Sequence, residues 1–226
     1  MHQVRQDNRE GKGVTVSLNP FDVVRQFEAA LCDYTGARYA VSTTSCTMAL
    51  LLACAVHKQV LCAVGGYNRP PPDTISIPKH TYVSVPQSII HAGYKVEFRD
   101  EDWAGAYRLI PFNIWDCARR FTSRMFVPGQ MQCVSFHWQK ICGIQQGGAV
   151  LHDNPYADEW LRRARFDGRR EGAKPKDDNF DMIGWHAYMS PEIAAEGLVR
   201  LSFLPKHNAD LPNDDYPDLS QFRCFR

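Results

Sequence analysis

Net charge is nearly absent from this 226-residue chain, in which 26 Lys and Arg stand against 25 Asp and Glu. That balance gives no argument for a nucleic-acid or membrane-surface partner. No apolar run approaches the ~20 residues that span a bilayer. The N-terminus, Met1-His2-Gln3-Val4-Arg5-Gln6-Asp7, lacks the apolar core of a signal peptide. Cysteines are present, but patterned cysteines are not. Cys32, Cys46, Cys54, Cys62, Cys117, Cys133, Cys142 and Cys224 form no CxxC pair and no cluster with metal-ligand spacing, so no metal is expected. Most sit in apolar strings, where free cysteine packs as a small hydrophobe. Reduced thiols and a reducing, cytoplasmic compartment are the expectation. The one basic run, Arg162-Arg163-Ala164-Arg165 with Arg169-Arg170, follows Trp160-Leu161 in a helical pattern and is expected as a solvated helix face.

The chain is 44% hydrophobic and 23% charged, enough for one domain with a sizeable core. Residues 1–19 read as an arm or loop. A helix follows, with Phe21, Val23, Val24, Phe27, Ala30 and Leu31 at helical spacing, closed by Gly36. A short strand, 38–41, leads through Ser42-Thr43-Thr44-Ser45-Cys46-Thr47 into an apolar helix, 48–56. Residues 57–72 read as irregular. Strands at 74–78 and 94–100 flank a helix closed by Gly93. This βαβ rhythm predicts a mostly parallel sheet with covering helices. Residues 101–109 read as a polar link, 110–116 as a strand ending in Asp116, and 132–136 as another strand. Val150-Leu151 forms an apolar strand, Asn154 to Arg165 a helix, 167–179 a mobile loop, Glu192 to Leu204 a last helix, and 205–226 an irregular tail.

Four places on this frame can carry chemistry. The hydroxyl-rich turn at the start of the second helix suits a phosphate or other anion, because backbone N–H groups point outward there; Thr44 or Ser45 could equally be a plain helix cap. Tyr82 lies just past a strand end, where α/β proteins place ligands, or it is a half-buried aromatic of the helix entry. Asp116, at a strand's carboxyl end, can pair a protonated ring nitrogen or cap a helix. Lys140 follows the strand ending Ser135-Phe136-His137 and precedes Gly147-Gly148. An amine at such a strand end can be desolvated and made nucleophilic, although a surface lysine beside a hairpin has the same local sequence.

The order of these pieces resembles the DegT/DnrJ/EryC1/StrS family of pyridoxal-phosphate (PLP) sugar aminotransferases, over roughly residues 20–204. The resemblance is carried by Phe27-Glu28-Ala29-Ala30, Tyr34-Thr35-Gly36-Ala37-Arg38-Tyr39-Ala40-Val41 and Thr44-Ser45-Cys46-Thr47-Met48-Ala49-Leu50. It continues through Pro78, Thr81-Tyr82-Val83, Ile89-Ile90 and Gly93, then Trp115-Asp116-Cys117-Ala118-Arg119, then Ser135-Phe136-His137, Lys140 and Gln146-Gly147-Gly148. It ends with Gly184, His186, Tyr188-Met189, Ala194-Ala195, Gly197-Leu198 and Leu201.

The resemblance implies an α/β fold: a three-layer, fold-type I PLP-transferase-like large domain over 1–204, with a tail at 205–226 and the C-terminal small domain largely missing. It implies an aminotransferase acting on a nucleotide-linked keto-sugar, with glutamate as amino donor and a homodimer sharing active sites. Lys140 would form the internal aldimine and shuttle protons, and a lysine there favours transamination over the family's dehydratase branch. Asp116 would pair the pyridinium nitrogen and Tyr82 would stack on the ring. Ser45, Cys46, Thr47 and Ser135 would cradle the phosphate, Arg119 would lie near the phenolic oxygen, and His186 would reach the phosphate from a neighbouring subunit. The sequence departs from the family pattern at Cys46 (for glycine), Arg119 (for Gln or His), Gln146 (for Glu), His186 (for Asn) and Tyr188 (for Arg). A strand–helix excursion between Asp100 and Ile110 is also missing, so fewer strands are expected. These departures keep two other readings open: a remnant that binds cofactor or sugar nucleotide without turnover, and a structural or interaction protein.

Overall fold

The computed structural model describes residues 19–61, 72–213 and 216–225. The expected N-terminal arm up to residue 18, Cys62 and the glycine- and proline-rich part of the 57–72 stretch up to residue 71 lie outside the described residues. Among the described residues, the five main helices are α1 (Asp22–Thr35), α2 (Cys46–Val56), α3 (Ser84–His91), α4 (Pro155–Ala164) and α5 (Pro191–Ser202). The strands are β1 (Tyr39–Thr43), β2 (Thr74–Pro78), β3 (Lys95–Arg99), β4 (Tyr107–Leu109), β5 (Ile114–Asp116), β6 (Met131–Ser135) and β7 (Gly148–His152). His57–Leu61 prolongs α2 as a π-helical turn.

The helix ends follow their capping chemistry. Gly36 takes φ 83° and returns its N–H to the Cys32 carbonyl, closing α1. Asn154 accepts from the N–H groups of Tyr156 and Ala157, with Pro155 in the first turn of α4. Ser190 and Pro191 repeat that device at α5.

Strands β1-β7-β6-β5-β4 form one sheet and β2-β3 another. Ser76 of β2 and Ile110, just past β4, exchange backbone hydrogen bonds of 2.8 and 3.1 Å, which joins the two. Strand alternation sorts the core into two layers. Val41, Cys133 and Val150 face α2, α3 and α4 in one cluster. Ala40, Val134, Ala149 and Leu151 face α1 and α5 in the other. The sheet is therefore the middle of three layers, as the family resemblance implies.

Its pairing is more mixed than a mostly parallel sheet. β5–β6 and β2–β3 are parallel, whereas β1–β7, β6–β7 and β4–β5 are antiparallel. Connection length explains two of the three antiparallel pairs, β4–β5 and β6–β7. β4 and β5 are joined by a four-residue turn, and the β6–β7 connection contains no helix, so neither has a crossover to bring the chain back parallel. The 101–109 stretch is accordingly not only a link. Tyr107 and Leu109 are buried on one side of β4, and the expected strand at 110–116 shortens to Ile114–Asp116. Pro111 has no N–H to give a ladder, and the turn is braced by Arg108, which donates to the carbonyls of Pro111 and Phe112 at 2.8 Å each.

The basic run is not a solvated face. Arg165 is 1% exposed. It ion-pairs with Glu28 and Glu171 and donates to the Ser42 carbonyl at 2.6 Å. Arg162 pairs with Glu28 at 2.7 Å and with Asp158 at 2.8 Å. Glu28 in turn accepts from the N–H and hydroxyl of Ser42, at 2.9 and 2.7 Å. Burial of Glu28 raises its pKa, but Arg165 and Arg162 outweigh that and hold the carboxyl below its ordinary value. This network clamps α1 and α4 to β1 just ahead of the hydroxyl-rich turn. It also draws Glu171, in the loop expected as mobile, onto Arg165.

Residues 205–213 and 216–225 are irregular apart from two short 3₁₀ turns, Leu219–Gln221 and Arg223–Phe225, but docked. Arg120 grips Asp210 with Nε at 3.0 Å from Oδ1, and the Leu211 N–H donates to the Arg119 carbonyl at 2.9 Å. Farther on, the Leu219 N–H donates to the Lys79 carbonyl at 2.9 Å, and the Leu219 side chain is buried.

Candidate active site

One cleft of about 710 Å³ opens at the carboxyl ends of β5 and β6 and the start of α2. Eight of the nine expected residues line it: Ser45, Cys46, Thr47, Tyr82, Asp116, Arg119, Ser135 and Lys140. His186 is elsewhere. Its side chain is 71% exposed and its Nδ1 lies 3.0 Å from Asp167.

The start of α2 forms the first wall. Ser45 caps the helix, its Oγ accepting from the Met48 N–H at 3.2 Å. Ser45 is therefore the helix cap of one sequence reading, and it also lines the cleft. Cys46 and Thr47, the first two helical residues, bring N–H groups that have no intrahelical acceptor. Thr47 Oγ1 lies 2.7 Å from Ser84 Oγ. The Cys46 departure proves harmless to the turn. Cys46 opens α2 with an ordinary φ, the positive-φ non-glycines being Arg124, Asp167 and Phe180. Its thiol lies 3.6 Å from the Cys133 carbonyl. Burial, Asp116 and Cys117 all push that thiol well above its usual range, so it is no nucleophile. The close approach falls instead to the glycine pair. A Cβ on Gly148 would lie 2.4 Å from Cys46 N and 2.5 Å from Ser45 C, and Gly147 takes φ 130°.

The second wall is acidic and buried. Asp116 ends β5 at 4% exposure. Its Oδ2 accepts from Tyr107 Oη at 2.8 Å and its Oδ1 from the Ala118 N–H at 2.9 Å. Burial raises its pKa, while those two donors and the Lys140 charge oppose the rise without cancelling it. Asp116 is not a helix cap, since no helix follows it. Lys140 sits in the turn after β6, its N–H on the His137 carbonyl at 2.8 Å and its own carbonyl accepting from Gly143 at 2.9 Å. Among the described residues its ammonium makes no hydrogen bond or ion pair. Ser135, 8% exposed at the end of β6, lies opposite Gly148 in the ladder.

The third wall is aromatic, and apart from Tyr82 it was not legible in the sequence. Tyr82 is 55% exposed at the α3 entry. Its ring meets Tyr216 edge-on at 6.2 Å, and Tyr216 stacks on Trp103 at 6.4 Å. Arg119 lies 5.1 Å from the Tyr216 ring centre, with Nε 3.4 Å from its hydroxyl. Tyr216 comes from a proline-rich tail without periodicity, so no local signal marks it. Tyr107, from a three-residue strand, is equally unmarked.

Among the described residues, no three His, Cys, Asp or Glu side chains gather as metal ligands. No described helix is long and apolar enough to cross a membrane. The described cysteines are all free thiols.

Residues 14–107 match the model of the DegT/DnrJ/EryC1/StrS aminotransferase family. The family resemblance is thus borne out across the α2 turn and Tyr82. Asp116, Ser135 and Lys140 lie past the end of that match, and their placement rests on the fold. The fold resembles AtS13 from Actinomadura melliaura, at TM-score 0.68 and 19% identity, covering 80% of this chain and 60% of that one. It resembles the sugar aminotransferase CalS13 from Micromonospora echinospora at TM-score 0.66 and 18% identity, with coverage of 80% and 60%. A putative PLP-dependent aminotransferase from Bacillus cereus gives 0.63 and 18%, with coverage of 80% and 58%. At such identities the likeness is one of fold, and the chain spans about 60% of the length of these structures. No curated protein matches the sequence.

Proposed function

We propose that this chain is a PLP-dependent aminotransferase that acts on a nucleotide-linked keto-sugar, with glutamate as amino donor. The observation that carries the reading is one cleft holding an unpaired amine, a buried carboxylate and a hydroxyl-lined helix start. Each fits a different part of the cofactor. Ser45, Thr47, Ser135 and the first N–H groups of α2 suit its phosphate, because they offer donors at the positive end of a helix. Asp116 suits its ring nitrogen, because a carboxylate made costly by burial is relieved by a cation. Tyr82 offers an exposed ring face. When bound, PLP supplies an electron sink at the carbon that gains or loses nitrogen. Lys140 acts as the cleft's nucleophile and carries the proton between reacting carbons. The protonated Cys46 thiol leaves the amine without a competitor.

Borohydride reduction in the presence of PLP tests this. Mass spectrometry is expected to find pyridoxyl phosphate attached to Lys140 in the wild type and absent in Lys140→Ala. A folded wild type that traps no label overturns the reading. In a separate, unreduced sample, glutamate should convert the bound cofactor to its amine form. Trapping without that conversion favours the second reading, a binding remnant without turnover.

A further inference from the structure

Asp116 is supported by a polar chain that the aminotransferase reading does not itself require. Tyr107 and Asp116 are direct partners in the β4–β5 ladder. The Tyr107 hydroxyl donates to Asp116 Oδ2 at 2.8 Å. Thr81 Oγ1 lies 2.5 Å from the same hydroxyl. Since Tyr107 has one proton and gives it to the carboxylate, Thr81 is the donor to Tyr107. All three side chains are buried, at 1%, 1% and 4% exposure. The chain runs from the residue beside Tyr82 to the carboxylate across the cleft floor.

The other groups that bear on Asp116 cannot do the same work. The Ala118 N–H serves the other oxygen, Oδ1. Lys140 contributes only its charge. Cys46 from α2, Cys133 across the ladder on β6 and the adjacent Cys117 are thiols that burial keeps protonated. Oδ2 thus has one donor, and that donor is held from behind. A hydrogen bond to an ionised group is stronger than one to a neutral group, and stronger still where water is excluded.

We propose that Tyr107, aimed by Thr81, is a positioning residue that keeps Asp116 ionised and correctly oriented in the cleft. It acts through Asp116 and touches no reacting atom. The proposal deepens the aminotransferase reading and rests on it for its purpose. Its test does not, because the carboxyl can be titrated without any cofactor.

The experiment follows the ¹³C carboxyl resonance of Asp116 against pH in ligand-free protein, assigned with Asp116→Asn. Tyr107→Phe fills the same space without the hydroxyl. Its Asp116 midpoint is expected about one to two pH units higher than in the wild type, the size of one lost charge-assisted hydrogen bond. Thr81→Val leaves the tyrosine in place and should move the midpoint the same way by less. It also serves if Tyr107→Phe fails to fold. PLP binding in Tyr107→Phe should weaken at a correspondingly higher pH as acid is added. An unmoved midpoint in the folded variants overturns the proposal, even where Lys140 is trapped. A moved midpoint upholds it, even where Lys140 is not.

Discussion

Replacing Gly148 by alanine tests whether β7 holds the helix start of the cleft in place. The backbone of Gly148 is not in the positive-φ region, so alanine brings no conformational strain of its own. It brings only a methyl group, placed 2.4 Å from Cys46 N, 2.5 Å from Ser45 C and 2.7 Å from Cys46 Cα. Ordinary carbon contacts begin near 3.5 Å, so something must move by about 1 Å. All three obstructing atoms are backbone, and none can swing aside as a side-chain tip would. Either the start of α2 or the first residue of β7 has to shift. Overpacking of this kind costs about 1–3 kcal/mol. For a chain of this size, about 2 kcal/mol lowers Tm by roughly 4–8 °C. The effect on the cleft should exceed the effect on the fold, because Ser45, Cys46 and Thr47 move together. A displacement of about 1 Å at a positioned site can cost about a hundredfold in function. Differential scanning calorimetry gives the first number, and titration with PLP the second. An alanine variant with wild-type Tm and wild-type PLP affinity would refute the argument that the glycine is required by this approach. Weakened binding with an unchanged Tm would place the adjustment in the cleft alone, and the steric argument would stand.

Two further predictions concern the clamp and the subunit. Glu28→Gln removes the charge that balances Arg165 and Arg162. Breaking a buried pair costs about 3–5 kcal/mol, so urea unfolding at pH 7 should show a loss of that order. The folded carboxyl titrates below its ordinary value of 4.5, so the ion pairs stabilise the protein above that value. Their contribution falls as pH drops below about 4.5 and through the folded pKa, and the gap between variant and wild type should close over the same window. A gap independent of pH down to acid unfolding would contradict the ion-pair account. We also propose a homodimer in which His186, exposed outside its own cleft, is offered to the cleft of a second copy. Sedimentation equilibrium should give twice the chain mass, and His186→Ala should weaken PLP binding only in the dimer. A monomer that binds PLP with full affinity would remove that role.

The sequence alone determined the elements whose causes are local. The α1 stripe with Gly36 behind it, and the helices read from Asn154 and from Glu192, each depend on residues within a turn or two of one another, so the pattern and the structure agree. The hydroxyl-rich turn, Asp116 and Lys140 were legible for a related reason. Each stands at the end of a strand or the start of a helix, and strand ends on one edge of a sheet converge whatever the details between them. Tertiary structure decided what depends on distant partners. The charges of Arg162 and Arg165 suggested solvent, but Glu28, more than 130 residues earlier, pulls them into the core. Burial outweighs helical charge patterning there because two cations and a carboxylate compensate one another. β4 and the antiparallel turn into β5 depend on a short connection and two buried side chains, too little for a period to show. The docking of Tyr216 against Trp103 and Tyr82, and of Tyr107 behind Asp116, has no local cause at all. Those aromatics carry meaning only where the fold brings three separate segments to one cleft.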